Sequence, residues 1–163
     1  MLKVFRSPVA LLVFSFMNLA CFLDTYASEP TDAVDATRSF VHDVLRTVIE
    51  DMQVEDQTYE TYFSKDYIQY VDGKTLNYTE FVNHMKAQKT ILASASVSFR
   101  YIIVEGDTVA TLHFVDALKR DGTSLRVQVN AVFKIKDHQF ILCDELTRLV
   151  QGSKEDENVG SCH

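Results

Sequence analysis

"TVATLHFVDALKRDGTSLRVQVNAVFKIKDHQFILCDELTRLV", residues 108–150, decides the fold. Apolar and polar residues alternate along most of it, the period of strands whose two faces meet different surroundings. Asp121-Gly122 and Asp137-His138 interrupt the alternation where tight turns belong, and Asp-Gly is a strong hairpin signal. Upstream, "SVSFRYIIV" (96–104) alternates too, with Glu105-Gly106-Asp107 before the next strand. Four strands joined by short turns predict an antiparallel meander.

Working back from there, the period changes. In "ATRSFVHDVLRTVIEDM" (36–52), Phe40, Val41, Val44, Leu45, Val48, Ile49 and Met52 share one helical face, with Thr31 or Asp32 able to cap the helix. "DQTYETYFS" (56–64) reads as a short second helix, and "DYIQYVDGK" (66–74) as a short strand ending in an Asp-Gly turn. "NYTEFVNHMKAQK" (77–89) is a third helix, with Asn77 and Glu80 in capping-box relation. Asn77-Tyr78-Thr79 also matches a glycosylation sequon, but the cap is the role its spacing supports. Three helices followed by a curled antiparallel sheet make an α+β roll, with a cavity under the apolar sheet face.

Two-residue turns at Gly106-Asp107, Asp121-Gly122 and Asp137-His138 set cross-strand partners by counting outward. Tyr101 then faces Leu112, and Phe99 faces Phe114. Phe114 and Leu112 face Val129 and Ala131. Phe133, Ala131 and Val129 face Leu142, Asp144 and Leu146. The apolar face so counted also carries Asp116, Asp144 and Arg148 towards the strand ends. The opposite face receives Thr111, His113, Cys143, Glu145 and Thr147. A single bulge in the last strand would exchange its two sets.

The first residues read as a secretory signal. Lys3 and Arg6 precede an apolar run from Val9 to about Leu23, and Thr25-Tyr26-Ala27 supplies small residues for cleavage. The expected division is a signal peptide over 1–27, a polar leader over 28–35, one domain over 36–152 and a polar tail over 153–163. The location is then exported, periplasmic or secreted; acylation of Cys21 is the alternative. The net charge is −7 at pH 7, and no run of lysine or arginine offsets it. Nucleic acid is therefore excluded as a partner. The sequence holds no CxxC, no HExxH and no glycine-rich phosphate loop, so neither metal nor cofactor is expected.

An acid on an apolar face has its pKa raised and can exchange protons near neutrality. Asp144 and Asp116 fit that description by the count, and Glu145 joins them if the last strand is bulged. His84 lies beside Phe81 and Met85 on a covered helix face and could shuttle a proton. Asp144, Glu145 and His84 are thus the catalytic candidates. Tyr62, Tyr70 and Tyr101 offer hydroxyls to a ligand; Phe114, Asp116 and Arg148 complete the binding set. Cys143 reads as a small buried residue, and His113 and His138 as exposed.

The helix "FVHDVLRTVIEDM", then "YFSKDYIQY" and "YTEFVNHMK", with the strands "GDTVATLHF" and "VNAVFKIKDHQFILCDELTRLV", resemble the SnoaL-like branch of the nuclear transport factor 2-like superfamily. The likeness runs over about residues 36–152. It implies a cone-shaped roll, cystatin-like in outline, with three N-terminal helices packed on a curved antiparallel sheet. It also implies a homodimer paired through the outer sheet face. It does not imply one activity, because the superfamily hosts isomerases, cyclases, dehydratases and binding modules. Ketosteroid isomerases keep an inward acid where this chain has Ala131, and their base falls near Gln69 to Val71, where Asp72 is the nearest acid. The first expectation is a cavity that binds a small hydrophobic molecule. The alternatives are a proton-transfer enzyme using Asp144 or Glu145, and an interaction module.

Overall fold

The structure, a computed structural model, describes residues 31–156. The signal segment 1–27, Cys21, the start of the leader and the tail from 157 onward, with Cys162, lie outside the described residues. Helix α1 (Thr31–Glu50) begins at the proposed cap, inside the predicted leader. Helix α2 (Asp56–Tyr62), strand β1 (Phe63–Val71) and strand β2 (Lys74–Asn77) follow. Helix α3 (Tyr78–Ile91) starts with the predicted capping box, both halves of which are made. Then come β3 (Leu92–Glu105), β4 (Thr108–Lys119), β5 (Ser124–Lys136) and β6 (Gln139–Gln151). The tail does not trail off at once: Lys154–Asp156 forms a 3-10 turn, and Asp156 accepts from Lys119 Nζ at 2.9 Å.

The six strands form one sheet in the order β2-β1-β6-β5-β4-β3. The meander β3 to β6 is antiparallel, as its turns predict, while β1 joins β6 in parallel. The helices cover one face. Val41, Val44, Leu45 and Val48 of α1 are buried, in line with their spacing. Glu50 Oε1 accepts from the Val97 amide at 2.8 Å, which ties the end of α1 to the edge strand β3. Phe63, Tyr67, Phe81, Phe133 and Phe140 pack ring on ring; Phe63 and Phe81 have centroids 4.7 Å apart, and Phe63 and Phe140 5.2 Å.

The register differs from the simple count in three places, each with a local cause. The β4–β5 loop has three residues, not two: Leu118 pairs with Ser124, and Lys119 N donates to the Thr123 carbonyl at 2.8 Å. Gly122, at φ +87°, takes the left-handed position that such a loop needs. That extra residue turns the whole of β4 over, so Val109, Thr111, His113, Val115 and Ala117 face the helices. A bulge at Arg100 keeps Tyr101 opposite Leu112 but sets Phe99 opposite His113 rather than Phe114. A bulge at Ile141 sets Phe133, Ala131 and Val129 opposite Cys143, Glu145 and Thr147. The inner set of β6 is therefore the one expected outside.

The β5–β6 turn keeps its two residues, with Asp137 at φ 51° and His138 at φ 58°. Both lie in the left-handed region, where a side chain on a non-glycine residue costs about 1 kcal/mol. His138→Gly should therefore raise the unfolding free energy by about 1 kcal/mol, less the edge contact of His138 with Phe40 at 6.3 Å. Urea unfolding of the two proteins measures it.

Candidate functional site

Between the helices and the concave sheet face lies an internal space of about 130 Å³. Most of its wall is apolar: Leu45 and Val48 from α1, Met52 from the turn after it, Phe81 and Met85 from α3, and Val127 and Val129 from β5. Polar groups break that wall in three places. Gln69, Cys143, Glu145 and Thr147 stand on neighbouring β1 and β6; His113 stands on β4; His84 and Gln88 come from α3.

The first group is the most closely built. Parallel pairing sets Gln69 beside Cys143 and Val71 beside Glu145. Gln69 Nε2 donates to Glu145 Oε1 at 2.9 Å, and the Cys143 thiol donates to Glu145 Oε2 at 3.5 Å. The Tyr67 hydroxyl meets the Cys143 sulfur in turn. No ion pair with lysine or arginine reaches Glu145 among the described residues. Glu145 keeps some accessible surface, but that surface is cavity wall, and burial dominates its chemistry. Loss of solvent raises its pKa to about 7, against the two hydrogen bonds that favour the anion; Asp72 and Asp144 push the same way as burial. The Gln69 Oε1 atom is buried with no donor. Burial likewise drives the Cys143 thiol and the Tyr67 hydroxyl upward, so neither ionises near neutrality.

Asp72 closes one side. It occupies the turn between β1 and β2 at φ 48° and accepts from the Thr147 amide at 2.8 Å and from the Thr147 hydroxyl. The two acids thus differ by environment: Asp72 is exposed, while Glu145 is enclosed.

His113 is buried, and burial lowers its pKa to about 4, so the ring is neutral at pH 7. Its Nδ1 lies 3.0 Å from Thr111 Oγ1, and its ring is 5.4 Å from Phe99. His84 is buried as well, with Nε2 at 3.0 Å from Gln88 Nε2. Lys89 reaches the cavity rim, where Nζ donates to the Asp51 carbonyl at 2.6 Å and the Ile49 carbonyl at 3.5 Å. Among the described residues no three His, Cys, Asp or Glu side chains converge as a metal site would require.

Of the expected catalytic residues, Glu145 and His84 line the cavity and Asp144 does not: it is exposed on the outer face, because the bulge at Ile141 reverses β6. The same bulge sends Arg148 outward, where it donates to Gln128 Oε1 at 2.9 Å. The three-residue turn sends Asp116 and Phe114 outward too. Asp116 lies 3.6 Å from Arg126, whose guanidinium covers the Phe114 ring at 4.6 Å. Tyr70 and Tyr101 are exposed, Tyr101 because it stays opposite Leu112 on the reversed β4. Tyr62 is half-buried against Phe40, off the cavity wall. His113, expected outside, is the residue that counting missed. In β4 the helix-facing side carries Thr111 and His113, while Leu112 and Phe114 lie on the outer face.

No protein-family model matches the chain. An uncharacterized protein of Schizosaccharomyces pombe is 30% identical over 125 residues, which span 77% of this chain and 95% of that protein. Two solved structures share the architecture at low identity. A candidate SnoaL-like polyketide cyclase from Jannaschia sp. CCS1 superposes with a TM-score of 0.60 at 11% identity, over 74% of this chain and 90% of its own. An NTF2-like protein of unknown function from Exiguobacterium sp. 255-15 gives 0.55 at 15% identity, over 69% and 96%.

Proposed function

Since the chain belongs to the family of the Schizosaccharomyces pombe protein and has the SnoaL-like, NTF2-like fold, we propose that its cavity binds a small, mainly apolar carbonyl compound and that Glu145 exchanges a proton with it. One observation carries this reading: an acid enclosed in a mostly apolar cavity, without a cation beside it, at a pKa of about 7. A carboxyl there is half ionised at neutral pH, which suits both taking and returning a proton. The anion would accept a proton from the carbon next to the carbonyl, leaving an enol-type species and a carboxylic acid, and would give it back at the same or another carbon. Gln69 and the Cys143 thiol hold the carboxylate in place. His113 and His84 are the imidazoles on the same cavity wall.

The test needs no knowledge of the natural substrate. Exchange of the methyl protons of acetophenone in deuterated buffer is followed by proton NMR. The chain should accelerate it, and Glu145→Gln should slow it by about 10²-fold or more. Equal rates for both proteins would remove the proton-transfer role and leave a binding cavity. Export of the chain belongs to the same proposal, because a secreted protein meets such molecules directly.

A specific observation favours a second, compatible property, pairing of two copies through the outer sheet face. Tyr101, Ile103 and Leu146 are 58, 62 and 65% exposed there, and Val132 joins them. Cross-strand pairing puts Tyr101, Leu112 and Leu146 in one row, interrupted only by Asn130, and exposed apolar patches of this kind mark interfaces. Sedimentation should find a dimer at micromolar concentration and a monomer for Leu146→Lys; a monomeric wild type would contradict the pairing.

A further inference from the structure

We propose that the cavity selects a neutral, single-ring molecule with oxygen functions at opposite ends, one meeting Glu145 and the other His113. The proposal rests on the cavity reading above and names the class of molecule it admits.

Size sets the first limit. A space of about 130 Å³ is comparable to the engineered cavity of roughly 150 Å³ that takes up benzene. One ring with short substituents is the size that such a space favours over a fused ring system. Phe63, Tyr67 and Phe81 supply aromatic edges and faces for such a ring.

Placement of the polar groups sets the second. Thr147 of β6 pairs with Val129 of β5, which pairs with His113 of β4. Glu145 lies two residues from Thr147 on the same face. With strands roughly 4.8 Å apart, β6 and β4 are roughly 10 Å apart. The strip between them is apolar, because β5 presents Val127, Val129 and Ala131. A molecule that reaches both sides must therefore be polar at its ends and apolar between. A ring with oxygen at both para positions is polar at its ends and apolar between, the pattern that this wall presents. His113 Nδ1 already meets Thr111, which leaves Nε2 as the ring atom for a second contact.

Charge sets the third. Lys89 is the one cation on the cavity wall among the described residues, and its ammonium is held by the Asp51 and Ile49 carbonyls. Glu145 would repel an anion, and the buried imidazole resists the proton that would attract one. A carboxylate or phosphate would meet the Lys89 charge only at the rim, and deeper in would have no counter-charge, at a cost that hydrogen bonds alone do not offset.

Calorimetric titration of the full chain at pH 6.5 tests all three limits. The probes are 4-hydroxyacetophenone, acetophenone (one oxygen), 4-hydroxybenzoate (an anion of the same shape) and 6-acetyl-2-naphthol (two rings). The expected result is that 4-hydroxyacetophenone binds at least tenfold more tightly than each of the others. His113→Phe, which keeps the ring shape, should lower 4-hydroxyacetophenone to the level of acetophenone. His113→Gln replaces that variant if it does not fold. Tighter binding of the benzoate or the naphthol, equal binding of acetophenone, or no binding at all overturns the proposal. The outcome is separable from the proton-transfer reading. A failed order of affinities with intact Glu145-dependent exchange sinks only the ligand class, whereas lost exchange dependence with an intact order sinks only the proton transfer.

Discussion

Glu145→Gln is expected to be more stable than the wild type by about 3 kcal/mol at pH 8, and no more stable at pH 4. The carboxyl titrates at about 7 in the fold against 4.5 ordinarily. Between those values the folded chain holds a proton that the unfolded chain has released, so stability falls as pH rises through that range. The full loss, above pH 7, is about 3 kcal/mol; below pH 4.5 nothing is lost. Glutamine keeps the shape and can still pair with Gln69, but never carries the charge. The wild type alone would hide the effect. His113 titrates at about 4 against 6.5 ordinarily, so it binds its proton in the unfolded chain first, and stability falls as pH drops through that window. The two slopes oppose each other between pH 4.5 and 6.5, and the wild-type profile there should be nearly flat. In Glu145→Gln only the histidine slope remains, and stability should climb from pH 4 to 6.5 and then level. Urea unfolding from pH 4 to 9 on both proteins reads this directly; parallel profiles would mean that Glu145 is not enclosed as described.

Phe140→Ala should cost about 3–5 kcal/mol. Phe140 is fully buried and touches Phe40, Phe63 and Phe133, with centroids 5.0 to 5.4 Å away. For a chain of this length that lowers the melting temperature by roughly 2–4 °C per kcal/mol. Phe114→Ala is the matched control. The sequence count puts Phe114 in the core, but it lies outside under Arg126, so about 1 kcal/mol is expected, the worth of an exposed cation–π contact. Similar losses for the two variants would argue for the original register of β4.

What could be read from the sequence divides along a physical line. Features set within one element were legible: the apolar stripe of α1, the Asn77–Glu80 cap, the alternation of β5. So was the meander, whose strands follow one another through short turns. The fold resemblance placed the helices on the sheet. Which face of β4 and β6 turns inward was not legible, because one inserted residue reverses every side chain beyond it. Arg-Asp-Gly at 120–122 forms a three-residue loop where two residues were counted, and nothing near Ile141 announces a bulge. The errors fell on the site for that reason. Glu145 and His113 moved in, and Asp144, Asp116 and Arg148 moved out. β1 paired with β6 could not be found by counting either, since no turn connects them.

That parallel seam bears on how the protein folds. The hairpins from β3 to β6 close over short stretches of chain, whereas Gln69 and Glu145 meet across 76 residues. Long-range pairing comes late because loop closure must precede it. The meander should therefore gain amide protection from hydrogen exchange before β1 does, and until β1 docks Glu145 stays hydrated, an ordinary carboxylate. On that order the enclosed carboxyl should acquire its chemistry when β1 docks, and lose it when the β1–β6 seam opens.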